Sequence, residues 1–385
     1  MINIEERLAK ELGLKLGVVN NVVEMLDEGN TVPFIARYRK EKTGGLSDEV
    51  LRKFSERLTY LRSLDERKVD VSRLIEEQGK LTQEITEALG KAETLTEVED
   101  IYRPYKPKKR TRATIAKAKG LEPLANLILE GAFKGDVLQE ASKYIDEEKG
   151  VEKAEDAVSG ALDIIAEGIS EEAKYRKFIR ELVMREGLIE SKGSSEETTP
   201  YEMYYDYSEE VRKIPPHRIL AINRGEKEKI LSVKITIGED KIISYLEREI
   251  LKGNGVLDEQ LKLAIRDAYK RLILPSIERE IRNELTDKGE EGAILIFKEN
   301  LKALLMQAPI KGKTVMGYDP GFRTGCKIAI LDSTGKFLEN VAVYPTVPKR
   351  DIVGTKKTLK ELIYKYDVDV ISLGNGKIGR AHVWT

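Results

Sequence analysis

The chain has 385 residues, enough for two or three domains that each bury a core of their own. Charged residues make up 35% and the formal net charge is −1, so overall charge does not favour a nucleic-acid partner. The single cysteine, Cys326, excludes a disulfide framework, and two histidines are too few for a His/Cys metal cluster. The N-terminus lacks the apolar core of a signal peptide, and no apolar run approaches the roughly 20 residues of a membrane span. We therefore expect a soluble cytoplasmic protein without a membrane partner.

Helical patterns dominate the chain as far as Gln307. Ser47 predicts the N-cap of a helix whose apolar residues recur at helical spacing. Gly79 and Gly90 predict helix ends, and Thr82 predicts a cap between them. Residues 4–26 predict two short helices, which suit either a DNA-reading helix–turn–helix or an ordinary helical pair.

Two features interrupt the helical pattern. Residues 192–200 are polar and predict a loop, and the tyrosine-rich residues 201–207 that follow indicate aromatic packing between helices. Leu231 to Ile237 alternates apolar and polar side chains and predicts a short strand. His217 follows two prolines, so we expect it in a loop, with a structural role.

From Lys311 the pattern changes from helix to strand. The predicted elements are three strands at Thr314–Asp319, Cys326–Asp332 and Phe337–Tyr344, a helix at Asp351–Tyr366 and a strand at Val368–Leu373. Three strands, a helix and another strand are typical of the start of an RNase-H-like domain. The predicted fold class is mainly α, an elongated multi-helix N-terminal region, followed by an incomplete α/β RNase-H-like domain. Cys326 is expected to be a small buried residue in the second strand.

One stretch between residues 102 and 119 is strongly basic, with no acid between Asp100 and Glu122. Pro104 and Pro107 predict an extended backbone that spreads the charges along a path suited to phosphates. The alternative is a solvated loop whose cations pair with acidic helices. The tyrosines in it are expected to anchor the loop. The candidate nucleic-acid-binding residues are Arg103, Lys106, Lys108, Lys109, Arg110 and Arg112.

A second stretch, residues 317–325, places Asp319 at the end of a predicted strand before a Pro-Gly turn. RNase-H-like nucleases present their first metal-binding acid in this way, and Mg²⁺ would bridge it to a phosphate. Such a nuclease needs a further acid after the fourth strand, where this chain has Leu373-Gly374-Asn375-Gly376. Asp319 is thus either a vestigial or a metal-binding acid, and we name no catalytic residue. We expect no cofactor, with Mg²⁺ required only by a nuclease.

Three segments resemble the Tex family of transcription accessory proteins: residues 31–41 (TVPFIARYRKE), 99–110 (EDIYRPYKPKKR) and 317–325 (GYDPGFRTG). The resemblance implies an elongated helical N-terminal region and a YqgF/RuvC-like domain. It also implies helix–hairpin–helix modules and a C-terminal OB-fold that binds RNA or DNA. Those last modules are not in this sequence, so we expect an N-terminal fragment that stops within the YqgF domain.

The predicted domains are a helical N-terminal domain at 1–195, a mainly helical central region at 196–312, a partial YqgF/RNase-H-like domain at 313–376 and a non-native tail at 377–385. The tail departs from the family pattern. Back-translated with Trp384 as TGA, it matches a sequencing-adapter sequence. Resequencing of the locus is the test of this hypothesis.

Three functions remain open from the sequence. The first is a non-catalytic factor that binds RNA or DNA and assists transcription. The second is a Mg²⁺-dependent RuvC-like nuclease that uses Asp319. The third is a helical scaffold for protein partners, such as RNA polymerase or ribosome-associated machinery.

Overall fold

The computed structural model describes residues 3–131, 135–194, 198–251, 257–308, 310–321, 324–347 and 349–374. The chain divides into two compact units, one ending at Ile294 and the other beginning at Leu295. The first unit is mainly helical with one small sheet, and the second is an α/β unit. The predicted succession of a mainly α region followed by an α/β domain is confirmed.

Seven helices open the described part of the first unit. They are α1 (Ile4–Leu12), α2 (Leu16–Asp27), α3 (Val32–Tyr38), α4 (Lys40–Thr43), α5 (Asp48–Glu76), α6 (Gln83–Lys91) and α7 (Leu95–Tyr102). Residues 4–26 do form two helices, and Gly13 ends α1 in the left-handed conformation that glycine adopts without strain. The helical pair exists, but its use in reading DNA stays a prediction.

The predicted caps around α5 and α6 are confirmed. The Ser47 Oγ accepts a hydrogen bond from the Val50 N–H at 3.3 Å, and the Thr82 side chain accepts one from Ile85 in the same way. Gly79 lies just beyond the end of α5 with a positive φ of 66°. The prediction for Gly90 was wrong, because it lies inside α6. A glycine in a helix costs only about 1 kcal/mol, and the burial of its neighbour Leu89 offsets that cost.

Two hydrophobic cores hold these helices together. The first joins α1, α2, α3 and the start of α5, and its fully buried residues include Leu8, Val22, Ile35 and Phe54. The second joins the end of α5 to α6 and α7. The 29-residue helix α5 therefore contributes to both cores.

Glu11 ties α1 to α5 and gives this region a pH dependence. Its carboxylate accepts hydrogen bonds from Arg57 at 2.6 and 2.8 Å and from Arg7 at 2.9 Å. The Arg57 hydrogen bonds, with help from Arg7, lower the pKa of Glu11 from 4.5 to about 2. A carboxyl group whose folded pKa is lowered stabilises the fold above its unfolded pKa and loses that contribution as pH falls through its folded pKa.

We therefore expect the stability difference between the wild type and Glu11→Gln to be constant above pH 4.5 and to shrink as pH falls to about 2. Urea titrations of both proteins across this pH range measure the difference. A difference that stays constant down to pH 2 would contradict the role of the Glu11 charge.

The rest of the first unit is one larger core around a small sheet. Its helices are α8 (Arg112–Ala118), α9 (Glu122–Glu130), α10 (Val137–Ala141), α11 (Ala154–Glu171), α12 (Ala173–Glu186), α13 (Pro216–Lys227), α14 (Glu239–Ile250), α15 (Asp258–Asp267) and the part of α16 (Leu274–Leu305) up to Ile294. A π-helical segment, Ala268–Ile273, connects α15 to α16. A single cluster of buried apolar residues extends from Ala113 to Leu285.

The small sheet contains β1 (Leu188–Gly193), β2 (Asp206–Glu210) and β3 (Leu231–Thr236), in the antiparallel order β2-β1-β3. The strand at β3 was predicted, but β1 and β2 were not. Both are short and polar, and β1 even directs a buried Ser191 inward, where its hydroxyl donates to the Tyr204 carbonyl. The predicted domain boundary between residues 195 and 196 separates β1 from β2, although these strands pair with each other.

The tyrosine-rich block packs into this core. Tyr201 and Tyr204 are 8% and 6% exposed, and Tyr204 meets the Tyr207 ring edge-on at a centroid distance of 5.3 Å. His217 is exposed in the first turn of α13, so its prediction as a loop residue was wrong. Proline suits the first turn of a helix because it has no N–H to satisfy, and here Pro216 begins the helix.

The second unit contains a mixed four-stranded sheet. The strands are β4 (Val315–Asp319), β5 (Cys326–Leu331), β6 (Phe337–Val343) and β7 (Val370–Leu373), with helix α17 (Ile352–Tyr366) before β7. The order is β6-β5-β4-β7, and β7 runs parallel to β4. This is the predicted succession of elements. Cys326 is 1% exposed on the face that packs against Leu362 of α17. No helix within the described residues has the length and apolar character needed to cross a membrane.

Candidate nucleic-acid interface

The basic stretch connects α7 to α8 within the first unit, and we name residues 103–111 the α7–α8 loop. Arg103–Tyr105 forms a turn of 3₁₀ helix, and the chain is irregular from Lys106 onward. The predicted extended backbone was therefore wrong at Pro104, because the φ of proline also suits the first turn of a helix. Two contacts anchor the start of the loop. Tyr102, just before it, is buried in the core at 6% exposure, and the Gln78 side chain donates a hydrogen bond to the Tyr105 carbonyl at 2.9 Å.

Arg103 lies at the partly exposed edge of an ionic cluster whose centre, Asp100 and Arg176, is buried. Asp100 accepts hydrogen bonds at 2.7 Å from both Arg176 and Arg180 of α12, and Glu280 of α16 accepts from both arginines as well. Arg103 lies 3.4 Å from Glu280, and burial and the nearby Arg176 lower its pKa. We name Asp100, Arg103, Arg176, Arg180 and Glu280 the α7–α12–α16 cluster.

Lys106 and Lys108 are also engaged by carboxylates. Lys106 pairs with Glu99, which also accepts from Arg67 at 2.7 Å. Lys108 lies 2.6 Å from Glu171 and 3.5 Å from Glu167, both on α11. Burial raises the pKa of Glu171, and the attraction of Lys108 opposes that rise. These contacts match the alternative in which loop cations pair with acidic helices.

Lys109, Arg110 and Arg112 differ from their neighbours. All three are exposed, and within the described ranges none has a carboxylate oxygen within 4.0 Å. Arg110 lies beside Lys119 and Lys149 at a shallow cavity of about 380 Å³. The Lys119 ammonium donates to the Gly150 carbonyl at 2.6 Å, an uncharged acceptor that leaves its charge unneutralised, whereas Lys149 pairs with Asp146. The structure thus divides the six predicted residues into a paired and an unpaired half.

The loop pattern pointed to the basic residues but not to their partners. Asp100 is 76 residues from Arg176 and Glu280 is 104 residues from Arg176 along the chain, and no local spacing relates them. Lys119 lies in the basic stretch but was not among the six candidates, and Lys149 lies outside the stretch. The Lys119 hydrogen bond to the Gly150 carbonyl links these two segments, which are 31 residues apart in the chain.

Asp319 in the second unit is exposed at the end of β4. Since β7 runs parallel to β4 with Leu373 beside Tyr318, the residue that follows β7 next to Asp319 is Gly374. The Gly374 N–H donates to the Tyr318 carbonyl at 2.8 Å. Among the residues that the structure describes, no three Asp, Glu, His or Cys side chains are grouped so that they could hold a metal ion. Phe322, Arg323 and Asn375 lie outside that part of the chain.

Helix α16 exposes an apolar segment near its C-terminal end. The side chains of Ile294, Leu295, Ile296 and Phe297 are each at least 60% exposed. Four consecutive exposed apolar residues are unusual on a helix that contacts only solvent. This segment is the feature that fits the protein-scaffold alternative.

Three family models match the chain in order: the Tex-like protein N-terminal domain at residues 2–76, the Tex central region-like family at 134–297 and the Tex protein YqgF-like domain at 313–383. This chain belongs to the Tex family. The YqgF-like match extends into the predicted tail at 377–385, and that tail lies outside the described residues.

Relatives match along nearly the whole chain. It is 47% identical over 98% of its length to the uncharacterized protein YdcI of Bacillus subtilis, covering 53% of that protein. It is 39% identical over 98% to the transcriptional accessory protein Tex of Neisseria gonorrhoeae, covering 50%, and 30% identical over 96% to the human S1 RNA-binding domain-containing protein 1, covering 38%. The chain thus spans about half or less of these relatives.

Proposed function

We propose that this chain binds RNA or DNA as part of a non-catalytic transcription accessory factor, and that the unpaired half of the α7–α8 loop contacts phosphates. One observation carries the proposal: Lys109 and Arg110 are exposed cations without a carboxylate partner in the described part of the chain, although neighbouring loop cations are paired. The names of the Neisseria and human relatives support it, because one is a transcriptional accessory protein and the other carries an S1 RNA-binding domain.

The chemistry at the loop suits phosphates rather than bases. Its one tyrosine, Tyr105, is partly buried against the core that contains Tyr102, so the loop presents no fully exposed ring on which a base would stack. Unpaired cations neutralise phosphates and release counterions without reading sequence. We infer that this loop adds affinity and leaves specificity to other contacts.

We expect the double variant Lys109→Ala/Arg110→Ala to weaken binding and to reduce the slope of log affinity against log salt by about 1.4 for a single strand, because about 0.7 counterions are released per phosphate contact. Fluorescence anisotropy with labelled polyuridine RNA and the matching DNA, over a series of salt concentrations, measures the slope.

The matched control is Lys106→Ala/Lys108→Ala. It removes the same charge from the same loop, but from lysines already paired with Glu99, Glu167 and Glu171. We expect its salt slope to stay near that of the wild type. Equal slopes for the two double variants would show that the unpaired residues have no special role.

A further inference from the structure

A second exposed basic surface lies at the junction of α3 and α4. We name it the α3–α4 patch, and its members are Arg37, Tyr38, Arg39, Lys40 and Lys42. All five are exposed, and the Tyr38 residue retains 60% of its accessible surface. These residues overlap the segment 31–41 that resembles the Tex family, and the sequence predicted no function for them.

The residues of the patch are positioned by buried neighbours on α3 and α4. Ile35 of α3 and Thr43 of α4 are 0% and 1% exposed, so each short helix is fixed to the core by one buried residue. The Tyr38 ring contacts the Phe34 ring at a centroid distance of 5.2 Å, and the Arg39 guanidinium lies 5.3 Å from the Phe34 ring. An exposed ring that is already positioned loses less freedom when a ligand stacks on it.

The cations of the patch are not neutralised. Within the described ranges, Arg37, Arg39, Lys40 and Lys42 have no carboxylate oxygen within 4.0 Å, and Glu41 is the one acid among residues 37–42. The neighbouring helix α5 differs, because its arginines are paired there: examples are Arg52 with Asp48, Arg57 with Glu11 and Arg62 with Asp27. Unpaired cations therefore concentrate around the exposed tyrosine.

We propose that the α3–α4 patch binds a single strand of nucleic acid, with a base stacked on Tyr38 and phosphates held by Arg37, Arg39 and Lys40. Surfaces that bind single strands combine aromatic rings for base stacking with cations that follow the backbone. A duplex hides its base faces, and an acidic peptide has no base to stack, so the exposed ring favours a single strand. This inference rests on the proposed nucleic-acid binding, but it concerns a different surface from the α7–α8 loop.

The test uses the full chain and single-stranded DNA that contains the fluorescent base 2-aminopurine. We expect Tyr38→Ala to weaken single-strand binding about tenfold, which corresponds to the loss of one stacked base, with an unchanged salt slope. Tyr38→Phe should bind like the wild type, because stacking does not need the hydroxyl group. Stacking on Tyr38 should quench 2-aminopurine in the wild type and Tyr38→Phe but not in Tyr38→Ala. Arg37→Ala/Lys40→Ala should instead reduce the salt slope by about 1.4.

The outcomes separate the two proposals. If the wild type binds and Tyr38→Ala binds equally well, this inference fails and the proposed function stands. Equal weakening of duplex and single-strand binding by Tyr38→Ala would also overturn the inference that the patch binds a single strand. Polyglutamate that displaces the labelled strand as well as an unlabelled single strand of equal charge would overturn it too. If the wild type binds no nucleic acid, both proposals fail. Thermal melts of each variant show that the substitution of an exposed residue has left the fold intact.

Discussion

Replacing Asp100 by alanine should lower the free energy of unfolding by about 3–5 kcal/mol, because it removes one of the two carboxylates that neutralise Arg176 and Arg180 in the protein interior. Asp100 is 3% exposed and Arg176 is 1% exposed, so bulk solvent does not reach this ion pair. Arg176 and Arg180 would then share Glu280 alone. Burial lowers the pKa of Arg180, but attraction to Asp100 and its hydrogen bonds outweigh this effect, so the pKa is raised.

Urea titrations measure the loss, and Glu284→Ala is the matched control. Glu284 lies on α16, one turn beyond Glu280, and pairs with Lys288 through side chains that are 46% and 59% exposed. Exposed pairs contribute about 0–1 kcal/mol. Asp100→Asn, which keeps an acceptor oxygen but removes the charge, should fall between the two. If Asp100→Ala and Glu284→Ala cost the same, the α7–α12–α16 cluster does not hold these helices together.

Replacing Phe54 by alanine should cost about 3–5 kcal/mol in the N-terminal core. Phe54 is 0% exposed and lies where α5 meets α1 and α3, among Leu8, Val22 and Ile35. Truncation removes a large buried ring and leaves a cavity that helices fixed at several other points cannot close.

The control for Phe54 is on the same helix. Val69 is 69% exposed on α5, so Val69→Ala should change stability by less than about 0.5 kcal/mol. Urea titration of the two variants compares a buried and an exposed apolar residue in one helix. A loss in Phe54→Ala as small as that in Val69→Ala would mean that the N-terminal core does not contribute to the measured transition.

Much of the second unit could be predicted because its signals are local. Alternation of apolar and polar residues identified β4, β5 and β6, and a helical pattern identified α17. Ser47 and Thr82 were identifiable as caps because a cap acts within three residues of chain. The strands β1 and β2 were missed for the opposite reason. Their polar sequences form strands only because each pairs with another segment of chain.

In the candidate interface, too, local features could be predicted and contacts between distant segments could not. The concentration of positive charge after Asp100 is a property of composition, and it could be read directly. Which of those charges remain unpaired depends on Glu171 and Glu280, which are distant along the chain. Arg103 and Lys109 contribute equally to a count of charges, yet Arg103 belongs to the α7–α12–α16 cluster and Lys109 faces solvent.

By itself, the sequence determined the family, the succession of elements in the second unit, and the basic stretch after Asp100. Periodicity, capping and charge act between residues close in the chain, so they can be read without a structure. Only the tertiary structure decided that Arg103, Lys106 and Lys108 are paired while Lys109 and Arg110 are not, and that Tyr38 is exposed among unpaired cations. The physical reason is that ion pairing and burial depend on distances in space, which packing sets between segments far apart in the chain.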